Sequence, residues 1–244
     1  MPTLVRIVLA GMLFLAGAGA SGTTITVYTN VNFPPLFIDA DHGLYPELVD
    51  YLNRKRIDGL DFRLEFLPRK RMQAMLDAGQ LEGIIIGMMP PWFGDLTQEK
   101  YLWTAPFFFD KFVLASNPAR PINQANAAAS LRVGVTLGYV YPGIDEWIAR
   151  HGVQRSDAPS EEKNLDKLVL GRVDAVVVTE SVLRYYVKSH PQAASLAIAP
   201  LPGQQTARSF LVPHNQKTVF DRLAPLVRSL KDDPAWLAIV ARYQ

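Results

Sequence analysis

Cysteine is absent from the 244 residues. That excludes disulfides, thiolate metal sites, thiol catalysis and the lipidated cysteine that would tether an exported chain to a membrane. Histidine is scarce, and His42, His151, His190 and His214 are scattered without ligand spacing. No H-E-x-x-H, G-x-S-x-G or glycine-rich phosphate loop occurs, so no catalytic residue, no metal site and no cofactor is expected. Asp39-Ala40-Asp41-His42-Gly43 lacks the further ligands of a calcium loop and reads as a turn. An excess of either charge is missing too. With 25 basic and 23 acidic side chains the net charge is +2, without the basic face of a nucleic-acid binder. Beyond the N-terminus no apolar run is long enough to span a bilayer, since Gly83 to Met89 is only strand-sized.

What is present is a globular composition, 49% apolar and 20% charged. It is preceded by a leader-like segment. Arg6 stands before the apolar run Ile7 to Leu15, and small residues follow, with Ala18 and Ala20 flanking Gly19. This is the pattern of a cleavable signal peptide over residues 1–20, and it implies export to a periplasm. The roughly 224 residues that remain suffice for two lobes, each with its own core.

Along the mature chain, β-branched runs alternate with segments of helical period, the signature of an α/β protein with a mostly parallel sheet. Thr24 to Tyr28 is expected as a strand running into the Phe33-Pro34-Pro35 loop. Leu48, Val49 and Leu52 mark the first helix; Arg63 to Phe66 is a second strand; Met72, Met75 and Leu76 mark a helix opened by Pro68; Ile84 to Ile86 is a buried strand. Asn117 to Pro121 and Pro200 to Gly203 read as linkers. They divide the chain into a first lobe of residues 21–116 and 204–244 and an inserted second lobe of residues 117–203. The lobes are thus joined by two crossings, near Ser116 and Ala199.

Several segments in this order resemble the bacterial extracellular solute-binding proteins of family 3, which include receptors for polar amino acids. They are Val27 to Phe37, Asp41-His42-Gly43, Leu76 to Gly83, Trp103-Thr104-Ala105-Pro106-Phe107, Arg132-Val133-Gly134-Val135 with Gly138, and Gly171-Arg172-Val173-Asp174-Ala175-Val176-Val177. The resemblance covers nearly the whole mature chain. It implies the two-lobed type II periplasmic-binding-protein fold, a ligand between the lobes at strand carboxyl ends, and hinge closure about the crossings.

Three departures from the family pattern point away from an ordinary free α-amino acid. No arginine lies between Gly83 and Asp110, where the family holds the ligand carboxylate. Tyr139 and Val140 replace a threonine pair, and the family's amine-reading acid falls on Thr179, with Glu180 beside it. The candidate ligand residues are Phe33, Arg71, Met88, Met89, Trp92, Tyr139, Tyr141, Thr179 and Glu180. Arg71 is the candidate anion anchor, with a solvated helix face as its alternative; Trp103, Phe107, Phe108 and Phe109 read as packing. The function expected is capture of a small-molecule ligand by a monomer that hands it to an ABC permease or a membrane sensor. A cyclohexadienyl-dehydratase-like lyase, with Glu180 as its acid, is the alternative.

Overall fold

The structure is a computed structural model that describes residues 22–57, 59–203 and 205–243. The leader-like segment lies outside the described residues. The chain runs β1 (Thr23–Thr29), α1 (Leu44–Arg54), β2 (Leu60–Phe66), α2 (Arg69–Asp77), β3 (Ile84–Met88), β4 (Leu102–Trp103) and β5 (Phe108–Asp110). It continues through β6 (Phe112–Ser116), β7 (Arg132–Thr136), α3 (Ile144–His151), β8 (Gln154–Ala158), α4 (Glu161–Val169) and β9 (Ala175–Thr179). It ends with α5 (Glu180–Ser189), β10 (Ala197–Pro200), β11 (Thr206–Val212), α6 (Lys217–Ser229) and α7 (Pro234–Ala241).

Two sheets organise these elements. The first has the order β2-β1-β3-β11-β4, with β5 paired to β11. Its β1 runs parallel to β2 and β3, with Val27 opposite Leu64 and Ile84. The second has the order β10-β6-β9-β7-β8. Ile84, Ile85 and Ile86 are wholly buried, because helices and loops cover both faces of a central strand. The sheets are mixed, not mostly parallel: β11 lies antiparallel to β3, and β6 antiparallel to β9 and β10.

The antiparallel strands are those beside the crossings between sheets. The first crossing is the single residue Lys111, between β5 in one sheet and β6 in the other. This corrects the boundary expected near Ser116. Phe112 to Ser116 belong to the second sheet, and the proline-rich segment 117–121 is a loop within that lobe. A strand that leaves one sheet and immediately enters another carries no loop composition, so nothing in the residue types marks it. The second crossing runs between Pro200 and Thr206.

After it, β11 enters the first sheet and α6 and α7 pack on that lobe, where Val219, Leu223, Val227 and Trp236 are buried. Asp233 caps α7 by accepting from the Ala235 and Trp236 amides, and the Trp236 indole donates to the Phe107 carbonyl at 3.1 Å. Of the four aromatics read as packing, Phe107 and Phe108 are buried and Trp103 is half-buried, whereas Phe109 on the short β5 is exposed. The polar strand β8 (Gln-Arg-Ser-Asp-Ala) was not anticipated. It sits at a sheet edge, where one side of the strand needs no apolar cover.

Candidate functional site

Between the sheets lie two cavities that share Trp92 as a lining residue. The smaller is walled by Asn30, Val31, Arg69, Met88, Trp92 and Arg208 from the first lobe and by Gly138, Tyr139 and Val140 from the second. Its volume is about 30 Å³, room for roughly two water-sized groups. The larger, of about 650 Å³, lies beside both crossings. Its walls include Met89, Pro91, Leu96, Phe112, Ile144, Ile198 and Leu201.

Arg208 dominates the smaller cavity. It stands in the middle of β11, only 4% exposed. One terminal nitrogen, Nη1, donates to the Tyr45 hydroxyl and to the Gly87 carbonyl, both at 3.2 Å, and the guanidinium carbon lies 5.5 Å from the Trp92 ring centroid. Nε has no hydrogen-bond partner. Among the described residues no carboxylate forms an ion pair with it. Burial disfavours the charge, but the fields of Tyr45, Asp110, Tyr139 and Glu161 outweigh that and hold the guanidinium's pKa above its ordinary value. Arg208 therefore remains a cation. Its charge is compensated at longer range by these groups, while Nε stays without a hydrogen-bond partner.

The seat for Arg208 depends on Gly87. Its φ of +78° lies in the left-handed region, and a Cβ there would stand 1.9 Å from the Tyr45 hydroxyl. Only a residue without a side chain lets Tyr45 and the carbonyl of residue 87 meet the guanidinium together.

Arg69, at the start of α2, is the second cation of this wall. Nη2 donates to the Trp92 carbonyl at 2.9 Å, Nη1 to Gln73, and the guanidinium lies 3.9 Å from the Phe93 ring centroid. Burial pushes its pKa down. The loop that follows is held by Asp95, which accepts from the amides of Glu99, Lys100 and Tyr101 and from the Trp103 indole at 2.7 Å. Trp92 is thus fixed from both ends of its turn.

The second lobe's acid is differently placed. Glu161, the first residue of α4, is 1% exposed, and one oxygen accepts from both the amide and the hydroxyl of Thr179 at 2.7 Å. Desolvation raises its pKa to about 7, against the opposing pull of those two bonds and of Arg208. Thr179, where the family resemblance places an acid, is thus hydrogen-bonded to a buried acid from a neighbouring helix.

The candidate residues separate into groups. Met88, Trp92 and Tyr139 line the smaller cavity; Met89, Trp92 and Glu180 line the larger. Four do neither. Phe33 is 5% exposed and packs in the first lobe's core. Tyr141 is wholly buried in the second lobe, its hydroxyl accepting from the Thr136 amide. Thr179 is buried and spent on Glu161. Arg71 is exposed, because two residues along a helix turn a side chain about 200° from Arg69. Arg208, Glu161, Tyr45 and Gly87 escaped the sequence reading. The one legible signal was a charged residue inside the otherwise uncharged strand Thr-Ala-Arg-Ser-Phe-Leu-Val.

Comparison with solved structures gives the architecture. An ancestral arginine-binding protein bound to arginine superimposes with a TM-score of 0.71 at 19% identity, over 90% of this chain and 97% of that one. The chain has the fold of periplasmic solute-binding proteins. A structure from work on glutathione import in Streptococcus mutans through GshT and the cystine ABC importer TcyBC gives 0.75 at 17% identity, over 91% and 95%. An ancestral amino-acid-binding protein, a precursor of cyclohexadienyl dehydratase, gives 0.68 at 16%, over 90% and 95%. No protein-family model matches the sequence, and no curated protein does. Among the described residues no helix is long and apolar enough to cross a membrane, and no cluster of His, Cys, Asp and Glu could hold a metal ion.

Proposed function

We propose that this protein is a periplasmic solute-binding protein whose two lobes close on a small solute bearing an anionic group, for delivery to an ABC permease or a membrane sensor. The supporting observation is Arg208: a buried guanidinium, with an unpartnered Nε and no ion-paired carboxylate, in the wall of the interlobe cavity. Arg69 adds a second positive charge, and the lining of that cavity includes no acid. An anion there gains charge-assisted hydrogen bonds in a medium of low dielectric. The arginine missing after β3 is replaced, in this reading, by one on β11.

Titration of the purified protein with benzoate, benzamide and benzylamine, followed by tryptophan fluorescence, tests the proposal. Benzoate is expected to bind and the other two to bind far more weakly, with Arg208→Met abolishing the preference. Preference for the amide or the amine removes the anionic-solute reading.

The lyase alternative has less support. Glu180 pairs with Lys111 at 3.1 Å and Arg184 at 2.9 Å, and these contacts, working against desolvation, hold its pKa below the usual value. An acid that stays ionised is a poor proton donor. Glu161 is better tuned, but it is hydrogen-bonded to Thr179 and lines neither cavity.

A further inference from the structure

We infer that the solute is an amphipathic organic acid, its anionic group in the small arginine cavity and its apolar body in the larger cavity beside the crossings, passing over Trp92. This deepens the anion-binding proposal and rests on it. The small cavity's 30 Å³ accommodates a group the size of a carboxylate and little more. A solute consisting of that group alone leaves the larger space unused. That space, 650 Å³, has the size of a small-molecule site.

The chemistry of the larger cavity supports an apolar occupant. Its wall is largely aliphatic and aromatic, drawn from both lobes, and its two charged side chains, Lys111 and Glu180, are paired with each other. Two of its residues, Leu96 and Ile198, are 76% and 59% exposed, so apolar surface faces solvent at its rim. Val140, at the small cavity, is 52% exposed as well. Scattered exposed apolar residues are ordinary; several gathered on the walls of one cleft are the sign of a ligand that covers them. Trp92 joins the compartments. Trp92 lines both cavities, with the Arg208 guanidinium over its ring and the Arg69 guanidinium bonded to its carbonyl.

The test uses a homologous series of acetate, butyrate, hexanoate and octanoate, with hexanamide as the uncharged control, measured by calorimetry on the full protein. Each added methylene is expected to tighten binding roughly fourfold, so that hexanoate binds about 250-fold tighter than acetate. Hexanamide is expected to bind at least tenfold more weakly than hexanoate. Leu96→Asp, at a site exposed enough to leave folding intact, is expected to weaken octanoate about tenfold and leave acetate unchanged. Arg208→Met weakens every acid.

A series with no dependence on chain length, still sensitive to Arg208→Met, overturns the two-compartment inference and leaves the anion reading standing. Equal weakening of acetate and octanoate by Leu96→Asp overturns it as well. Carboxylate binding that Arg208→Met does not alter, or hexanamide equal to hexanoate, removes the anion reading and this inference with it.

Discussion

The two walls of the cleft treat charge in opposite ways. On the first lobe Arg208 is buried on a central strand with a donor unused, and Arg69 beside it is satisfied by neutral partners only. On the second lobe the buried charge of Glu161 is absorbed locally: Thr179 donates to it twice, and its pKa has risen to about 7, so near neutrality it is partly uncharged. One lobe keeps its charge for something that arrives, and the other neutralises its own. Under the proposed function, this difference puts recognition of the solute's anionic end on the first lobe. The second lobe contributes Tyr139 and Val140 as a cover.

The comparison is broken most severely at Arg208. Arg208→Met should lower affinity for a bound carboxylate roughly a thousandfold, about 4 kcal/mol, since it removes a desolvated charge partner. It should lower the stability of the free protein by no more than about 2 kcal/mol, the cost of leaving the Tyr45 hydroxyl and the Gly87 carbonyl without their donor. Calorimetric titration with hexanoate and thermal denaturation together read both effects, and a large loss of stability would show that Arg208 is a structural residue instead.

Next in size is the seat that makes Arg208 possible. Gly87→Ala forces a Cβ against the buried Tyr45 hydroxyl at a positive φ, and should cost about 3 kcal/mol of stability by urea unfolding. A cost near zero would mean that Tyr45 can yield and that the seat is soft.

On the second lobe the expected effect depends on pH. Glu161 has a folded pKa of about 7 against 4.5 as its ordinary value. Between these values the folded form binds the proton more tightly than the unfolded one, so stability falls as pH rises from about 4.5 to 7 and changes no further from this group above that. Glu161→Gln keeps an acceptor for Thr179 and removes the charge. It should flatten that slope, gaining of order 2 kcal/mol at pH 7.5 and little at pH 4.5, as measured by urea unfolding at both. A slope unchanged in the variant would show that the acid is not the titrating group. The smallest effect belongs to Arg71→Ala, expected within about 0.5 kcal/mol of the parent in stability and without consequence for carboxylate binding. A clear loss of binding would return Arg71 to the site.

The gap between Arg71 and Arg69 shows how far residue order alone reaches. Residue types alone put Arg71 forward as the anion anchor, but Arg69, Lys70 and Arg71 stand together at the start of α2, and which of them faces the cleft is a matter of helix rotation against the sheet. The strands themselves were legible where apolar runs were long: Ile84 to Ile86 is a wholly buried strand. The first crossing was not, because Lys111 sits between two strands and has no composition of its own to announce it. Proline-rich residues 117–121 drew the boundary instead.

The alternation of short apolar runs with helical stripes determined the α/β class by itself, since each element must bury its own apolar face whatever it packs against. Which side chains converge on the cleft was decided only in three dimensions. Arg208 lies 121 residues from Gly87 and 163 from Tyr45, and Glu161 lies 18 from Thr179. No local pattern joins positions so far apart; the pairing of β11 with β3, and the docking of α4 beside β9, bring them together.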